Sequence, residues 1–365
     1  MHLRLYFILL FTAFSLLLPK NTLAQCEDVT VEGLTNPGPF EVGVLTEDDG
    51  IRNSPDYFGA TVYYPINATP PFPSIAIVPG FTALPSSVEE WGPFYASHGI
   101  VTIIIGTNSI FDGPELRAYA LIDALETIRQ ENVRVNSPLE NQLDIDKFAV
   151  SGWSMGGGGA QRAAVLDSSI KGVVALCPWL LSPSLDHQSP VLIISGQNDQ
   201  VAPPNVHADI HYNTTPDTTP KLLFEVINGD HSVANSPNGG NGMVGEIALS
   251  WLKLYVNDDD CYCPLLTDSL LLDSPDASQI LFNFECESLS IEENSIRTLV
   301  YPNPTNKILN VNILKPTNYV IYGVQGQKLA SGILNLNKNQ IEFSNFTKGI
   351  YYLRLNNETI KIIRN

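Results

Sequence analysis

The chain has 365 residues, which is longer than a typical single domain. Of these residues 44% are hydrophobic and 16% charged, a composition that can bury a large core. Its formal net charge is −18 at pH 7, so its surface would repel nucleic-acid backbones and anionic membranes. The composition therefore argues against a nucleic-acid-binding protein and favours an uncharged partner.

The first 24 residues have the features of a secretory signal peptide. His2 and Arg4 flank the start of an apolar run that extends to Leu18, and Ala24 supplies a small residue for cleavage. A transmembrane helix is the alternative, but the run is interrupted by polar residues and is shorter than the ~20 residues that cross a bilayer. We predict a cleaved signal peptide over residues 1–24 and an exported protein.

Between residues 40 and 256, apolar runs of strand length alternate with longer mixed segments. The clearest helices are predicted over residues 114–131 and 244–255, and strands over 60–64, 74–78, 101–105, 147–151, 172–176, 191–194 and 221–227. This alternation is typical of an α/β fold with a mostly parallel sheet flanked by helices. Residues 258–297 are acidic and irregular, so a domain boundary is expected there.

The segment FAVSGWSMGGGG, residues 148–159, places Ser154 between an apolar strand and a predicted helix. Gly152 and Gly156 lie two residues on either side, as in the G-x-S-x-G nucleophile elbow, where the backbone turns too tightly for a Cβ. The pattern alone is weak, because most chance matches are ordinary turns. Glycine is a poor helix former, so close packing on the sheet explains the run to Gly159 better. We predict that Ser154 is a catalytic nucleophile.

A serine nucleophile needs a base and an acid that orients the base, and in the α/β-hydrolase fold the chain order is serine, acid, histidine. Asp199 follows the apolar run 191–196, and His231 comes just after the strand predicted to end at residue 227. These two residues are the predicted acid and base. Asp186 is the runner-up acid.

A metal site is the competing use of histidine in this chain. His207 and His211 have the i, i+4 spacing of a helical metal pair, but the sequence offers no third ligand in pattern. We therefore expect the pair to face solvent, and we predict neither a metal nor a cofactor.

The oxyanion hole requires two backbone N–H groups directed at the developing negative charge. Met155, directly after the nucleophile, is expected to provide one. The loop that follows the strand predicted over residues 74–78 is expected to provide the other through Phe81. Pro79-Gly80 can also be an ordinary turn, and its position after a buried strand is what favours the catalytic interpretation.

Five cysteines in an exported chain predict disulfides and one unpaired thiol. Cys177 lies in a buried-strand pattern and is expected to be the free one. The other four are expected to pair, but their partners cannot be read from the sequence: Cys26, Cys261, Cys263 and Cys286.

From residue 298 the chain changes to short alternating strands, which predict a small β-sandwich. This segment resembles the C-terminal sorting domain of the type IX secretion system. The resemblance lies in four short motifs of this chain: YPNPT (301–305), GVQGQKL (323–329), KGIYYL (348–353) and KIIRN (361–365). The resemblance implies export across both membranes of a Bacteroidetes-type cell and the secretion machinery as a partner. A carbohydrate-binding or stalk module is the alternative.

The catalytic segment resembles the bacterial cutinase and poly(ethylene terephthalate) hydrolase family over roughly residues 40–286. The matching segments are PGFTA (79–83), GWSMGGGG (152–159), PW (178–179), NDQVAP (198–203) and GDHSVAN (229–235). The resemblance implies the triad Ser154, Asp199 and His231, the oxyanion-hole residues Phe81 and Met155, and the substrate-binding residues Phe81, Trp153, Trp179 and Val201.

Several positions depart from the family pattern. Phe81 stands where the family usually has tyrosine, and Val233 stands where one mesophilic branch has a cysteine. Trp153 resembles the polyester-hydrolase variant, whereas many cutinases carry histidine there, and His207 is closer to the cutinase form.

The sequence as a whole predicts an exported serine ester hydrolase with an α/β-hydrolase domain. We expect a signal peptide over 1–24, a catalytic domain over 25–286, a linker over 287–297 and a sorting domain over 298–365. The expected substrate is a polyester or a lipid-like ester, and the protein is expected to act as a monomer. A lipase or short-chain esterase, and a surface binding protein on an inactive hydrolase fold, are the alternatives.

Overall fold

The computed structural model of the chain divides into two compact units, residues 1–287 and 288–365. It describes residues 26, 29–34, 37–181, 183–267, 271, 274–286, 300–311, 313, 316–335, 339–355 and 358–365. The predicted signal peptide and the predicted linker over 287–297 lie outside the described residues. No helix among the described residues is long and apolar enough to cross a membrane.

The first unit is built on a nine-stranded sheet with the spatial order β1-β2-β4-β3-β5-β6-β7-β8-β9. In chain order the strands are β1 (Glu41–Thr46), β2 (Ala60–Ile66), β3 (Phe72–Val78), β4 (Val101–Ile105), β5 (Leu143–Trp153), β6 (Gly172–Leu176), β7 (Val191–Gly196), β8 (Lys221–Val226) and β9 (Ala277–Phe282). The pairings from β4 through β3, β5, β6 and β7 to β8 are parallel. The β1–β2, β2–β4 and β8–β9 pairings are antiparallel.

Helices cover both faces of this sheet and thereby bury its central strands on both sides. The helices are α1 (Trp91–Ser97), α2 (Pro114–Glu131), α3 (Met155–Leu166), α4 (Ala208–Thr214) and α5 (Met243–Tyr255). Alternate residues along each strand feed two cores: Val174 packs in one with α1 and α5, and Val173 in the other with α2, α3 and α4. This is the mostly parallel sheet flanked by helices that the alternating pattern predicted, and it fits the expected α/β-hydrolase fold.

Each of the seven predicted strands lies within or overlaps one of β2 to β8, whereas the edge strands β1 and β9 have no counterpart among the predicted strands. β1 reads EVGVLT with only two buried residues, and β9 reads ASQILF with none fully buried. Such edge strands lack the apolar run that identifies a central strand. The boundary expected within residues 258–297 therefore falls after β9, because β9 belongs to the first unit.

Both disulfides lie in the first unit and involve the four predicted cysteines. Cys26 pairs with Cys261, and Cys263 pairs with Cys286. Cys177 is the free cysteine among the described residues and is buried, as predicted.

The second unit consists of two small antiparallel sheets, with the orders β10-β11-β14 and β13-β12-β15-β16. Its strands are β10 (Val300–Tyr301), β11 (Ile308–Val311), β12 (Thr317–Gly323), β13 (Lys328–Leu334), β14 (Gln340–Glu342), β15 (Gly349–Leu355) and β16 (Glu358–Arg364). Leu309 and Ile341 from the first sheet and Ile321 and Leu353 from the second share one buried apolar cluster. The two sheets therefore pack as the predicted small sandwich.

Candidate active site

Ser154 occupies the sharp turn between β5 and α3, with φ 59° and ψ −119°. This backbone conformation is unfavourable for a residue with a Cβ, and it persists only where the surroundings enforce it. A Cβ on Gly152 would lie 2.4 Å from the backbone of Gly156, and a Cβ on Gly156 would lie 2.4 Å from the carbonyl oxygen of Val78. The two flanking glycines are therefore required by close backbone contacts, and the chain makes the sharp strand-to-helix turn that the G-x-S-x-G pattern predicts.

The glycines that follow the elbow allow α3 to pack tightly on its neighbours. A Cβ on Gly158 would lie 2.3 Å from the carbonyl oxygen of Trp179, and one on Gly159 would lie 2.8 Å from the Cβ of Arg117. Steric fit thus explains a glycine run that helix propensity disfavours.

Asp199 follows β7 and His231 follows β8, so both lie at the same edge of the sheet as the elbow. The two side chains are joined by a 2.7 Å hydrogen bond between His231 Nδ1 and Asp199 Oδ2. Asp199 Oδ1 accepts two further bonds of 2.8 Å from the amides of Val201 and Ala202. Burial disfavours the charged carboxyl, but these hydrogen bonds outweigh it, and the pKa of Asp199 lies below its usual value. The carboxylate can thus hold the His231 ring through Nδ1, which leaves Nε2 available to accept a proton.

The loop that carries His231 is attached to the elbow through Trp153, the residue before the nucleophile. Trp153 Nε1 donates a 2.8 Å hydrogen bond to the carbonyl oxygen of His231, and the two rings are 5.0 Å apart at their centroids. The structure in this way brings Ser154, Asp199 and His231 into one locality.

The predicted oxyanion residues lie on either side of this locality. Met155 is the first residue of α3, where the N–H groups have no partner within the helix. Phe81 lies in the loop after β3, and a Cβ on Gly80 in that loop would lie 2.8 Å from Ser154 Cβ. The loop therefore runs directly beside the elbow, as an oxyanion hole requires.

The predicted substrate-binding side chains present apolar surface around the elbow. Phe81 and Val201 are 45% and 60% exposed, and Trp153 and Trp179 are half-buried. The Trp179 amide donates a 2.8 Å bond to the carbonyl oxygen of Ser154, which fixes the tryptophan segment to the elbow. A cavity of about 310 Å³ elsewhere, lined by Thr46 and Thr61 among others, includes none of these residues.

The expectation that His207 and His211 face solvent is wrong, because both are buried. His211 Nε2 lies 3.1 Å from the carbonyl oxygen of Leu180, and its Nδ1 lies 3.0 Å from Gln161 Nε2. His207 Nδ1 lies 3.3 Å from both the amide nitrogen and the carbonyl oxygen of Leu180. The pair therefore supports the segment after Trp179, and burial lowers the pKa of His211 to about 4. Sequence spacing could not distinguish this role from a surface pair.

Asp186 and Cys177 are two further polar residues that do not fit a catalytic role. Asp186, the runner-up acid, is exposed, whereas the carboxylate that accepts the hydrogen bond of His231 Nδ1 is that of Asp199. Cys177 lies within 4.8 Å of the polar atoms of Asp199 and His231, but burial and the Asp199 charge raise the pKa of its thiol. The thiol is therefore held in its neutral, unreactive form.

Comparison with known proteins identifies two segments of the chain. A model of the PET hydrolase-like family matches residues 20–279, and a model of the secretion system C-terminal sorting domain matches residues 299–365. The chain is 37% identical to cutinase est1 of Thermobifida alba over 242 residues, which cover 65% of this chain and 78% of that protein.

Two further relatives carry related names. A cutinase of Thermobifida fusca is 34% identical over 273 residues, which cover 72% of this chain and 87% of the relative. A bis(hydroxyethyl) terephthalate hydrolase of Streptomyces coelicolor is 35% identical over 221 residues, which cover 59% of this chain and 69% of the relative.

Proposed function

Because the chain belongs to the PET hydrolase-like family, we propose that it is an exported carboxylic-ester hydrolase that cleaves polyesters, with Ser154, Asp199 and His231 as its triad. The observation that carries the proposal is the 2.7 Å Asp199–His231 hydrogen bond beside a serine in a strained elbow. The names of the relatives, cutinase and bis(hydroxyethyl) terephthalate hydrolase, support the substrate class. The sorting domain indicates secretion or attachment at the cell surface.

In the proposed reaction His231 Nε2 takes the proton of Ser154 as Oγ attacks the ester carbonyl carbon. The carbonyl oxygen becomes an oxyanion that accepts hydrogen bonds from the Phe81 and Met155 amides. Collapse breaks the ester C–O bond, and the alcohol leaves with the proton from His231. Water then attacks the acyl-enzyme, again giving its proton to His231, and the acid is released with Ser154 restored. Asp199 orients the ring throughout and stabilises its positive charge.

The side chains around the elbow support an aromatic or acyl unit as the group that is bound. Phe81, Trp153, Trp179 and Val201 offer apolar surface that is accessible to a large substrate, and they come from the end of β5 and from the segments after β3, β6 and β7. Every proposed catalytic side chain comes from one chain, so we propose that the enzyme acts as a monomer.

The test is product release from amorphous poly(ethylene terephthalate) film, from tributyrin and from a soluble p-nitrophenyl butyrate. We expect the wild-type enzyme to release aromatic acids from the film, and Ser154→Ala to release none from any substrate, whereas Ser169→Ala on an exposed turn retains full activity. Hydrolysis of tributyrin without any release from film would instead identify a lipase. Binding to film without hydrolysis of any ester would identify a binding protein.

Trp179→Ala tests the binding surface separately from the triad. An aromatic contact contributes about 0.5–1.5 kcal/mol beyond area burial, so this variant should lose several-fold more activity on the aromatic polyester than on the butyrate ester. Equal losses on both would mean that Trp179 only supports the fold.

A further inference from the structure

Arg117 is a fully buried cation in α2 whose hydrogen bonds among the described residues all go to neutral groups of the main chain. Its side chain is 0% exposed. Nη1 donates to the carbonyl oxygen of Pro79 at 2.8 Å, Nη2 to that of Ile110 at 3.2 Å, and Nε to that of Asp112 at 3.0 Å. Buried arginines are usually paired with carboxylates, but none of the ion pairs between described residues involves Arg117. The charge of Asp112 also acts on Arg117, but the two side chains form no ion pair, so the direct contacts of the guanidinium call for another explanation.

The three carbonyl groups belong to the loop that carries Phe81 and to the loop beside it. Pro79 lies two residues before Phe81, and the amide of Thr82, the residue after Phe81, donates a 2.7 Å bond to the same Ile110 carbonyl that Arg117 binds. Thr82 has φ 59°, which is unfavourable for a β-branched residue. The guanidinium thus binds the carbonyl two residues before Phe81 directly, and it is linked through the Ile110 carbonyl to the amide that follows Phe81.

The same side chain connects this loop to the elbow. A Cβ on Gly159 of α3 would lie 2.8 Å from Arg117 Cβ, and a Cβ on Gly156 would lie 2.6 Å from the carbonyl oxygen of Pro79. The helix that begins after Ser154 therefore packs against Arg117 and against the Pro79 carbonyl that Arg117 binds. Burial lowers the pKa of Arg117 to about 10, so the guanidinium stays protonated at neutral pH and keeps all its donors.

We propose that Arg117 is a positioning residue of the oxyanion hole, which it sets by fixing the Pro79 carbonyl before Phe81 and the Ile110 carbonyl that binds the Thr82 amide after it. The inference rests on the proposed function. Because the Phe81 amide acts on the oxyanion and hardly on the ground-state ester, loss of its alignment lowers kcat and leaves KM nearly unchanged. A lysine cannot replace the guanidinium, since its single ammonium group lacks the planar fork that reaches three carbonyls.

The experiment compares Arg117→Gln and Arg117→Lys with Arg162→Gln. Arg162 is a matched control on α3, since its guanidinium also joins α2 and α3 but binds Glu115 and the Ser184 carbonyl. Three measurements are made. Fluorophosphonate titration counts the active sites, and kinetics on p-nitrophenyl butyrate give KM and kcat per titrated site. The third is the affinity for phenylboronic acid, which forms a tetrahedral adduct with the serine.

For both Arg117 variants we expect kcat per titrated site to fall at least tenfold, towards the ~10²–10³-fold loss seen when an oxyanion donor is removed. KM should stay within about threefold, and the boronate affinity should fall in proportion to kcat, as expected for a transition-state interaction. Arg162→Gln should match the wild-type enzyme in all three measurements.

A normal kcat per site in the Arg117 variants, with fewer titratable sites or lower stability, would overturn the inference, because Arg117 would then only support folding. If Arg117→Gln yields no soluble protein, Arg117→Lys decides by the same criteria. An inactive wild-type enzyme would refute the proposed function itself, so the two failures are distinct.

Discussion

At the scale of single residues, the Asp199 carboxylate is enclosed and its hydrogen bonds come from His231 and two backbone amides. Asp199→Asn should keep the fold but favour the wrong ring tautomer of His231, because the amide can donate to Nδ1. We expect a loss in turnover on the order of 10³–10⁴-fold on a soluble ester. Asp186→Asn is the control and should retain wild-type turnover. Near-normal activity of Asp199→Asn, or a large loss in Asp186→Asn, would contradict the assignment of the acid.

Buried histidines should make the stability of the protein depend on pH, and His187 and His211 have the largest shifts in pKa among them. Burial lowers the pKa of both His187 and His211 to about 4, from 6.5 in an exposed chain. Between these values the unfolded chain binds protons that the folded chain does not, so the free energy of unfolding falls as the pH falls below about 6.5. The fall approaches about 1.4 kcal/mol per pH unit for each histidine and ends near pH 4.

Urea unfolding at pH 7 and pH 5 measures this dependence. His211→Gln should reduce the difference in stability between the two pH values, because one of the two groups no longer titrates. A free energy of unfolding that is equal at pH 7 and pH 5 in the wild-type enzyme would contradict the burial of these rings as neutral groups.

At the scale of elements, α3 is placed by contacts that only glycine permits. Gly158→Ala would put a methyl group 2.3 Å from the Trp179 carbonyl oxygen, and the backbone there cannot move aside cheaply. Overpacking of this kind costs about 1–3 kcal/mol, more than the ~1 kcal/mol that alanine adds to helix propensity. We expect lower thermal stability and weaker activity on film. Gly33→Ala is the control, since its Cβ would meet nothing closer than 3.9 Å. A stabilised Gly158→Ala enzyme would contradict the described packing.

The sequence was sufficient to predict the elements that carry local signals. The elbow has its glycines, and the central strands have apolar runs, so Ser154 and the strands that precede Asp199 and His231 were predicted close to their positions. Long-range packing has no such signal: β1 and β9 have mixed patterns at the sheet edges, and the burial of His211 depends on Gln161 and Leu180. The role of Arg117 likewise depends on which carbonyls the fold brings to it.

At the scale of the whole molecule, the proposed catalytic residues and both disulfides lie in the first unit. A chain of residues 25–294 should therefore fold and keep its activity on soluble esters, because it retains the complete sheet and its covalent links. In the native host the same truncation should leave the enzyme in the periplasm, since it lacks the segment that matches the sorting domain.

Cell fractionation and esterase assays measure both outcomes, with the full-length chain as the control. Truncated enzyme in the culture medium would contradict the sorting role. Normal export combined with loss of binding to solid polymer would favour a binding module, and loss of activity on soluble ester would contradict the independence of the first unit.

The most direct test of the central claim is the site at which a fluorophosphonate forms its adduct. The reagent reacts with a serine only when a base activates the hydroxyl, so mass spectrometry of the wild-type enzyme should locate one adduct, on Ser154. His231→Ala should lose the adduct together with its esterase activity. An active enzyme that is labelled on a different serine, or not at all, would contradict the proposed triad.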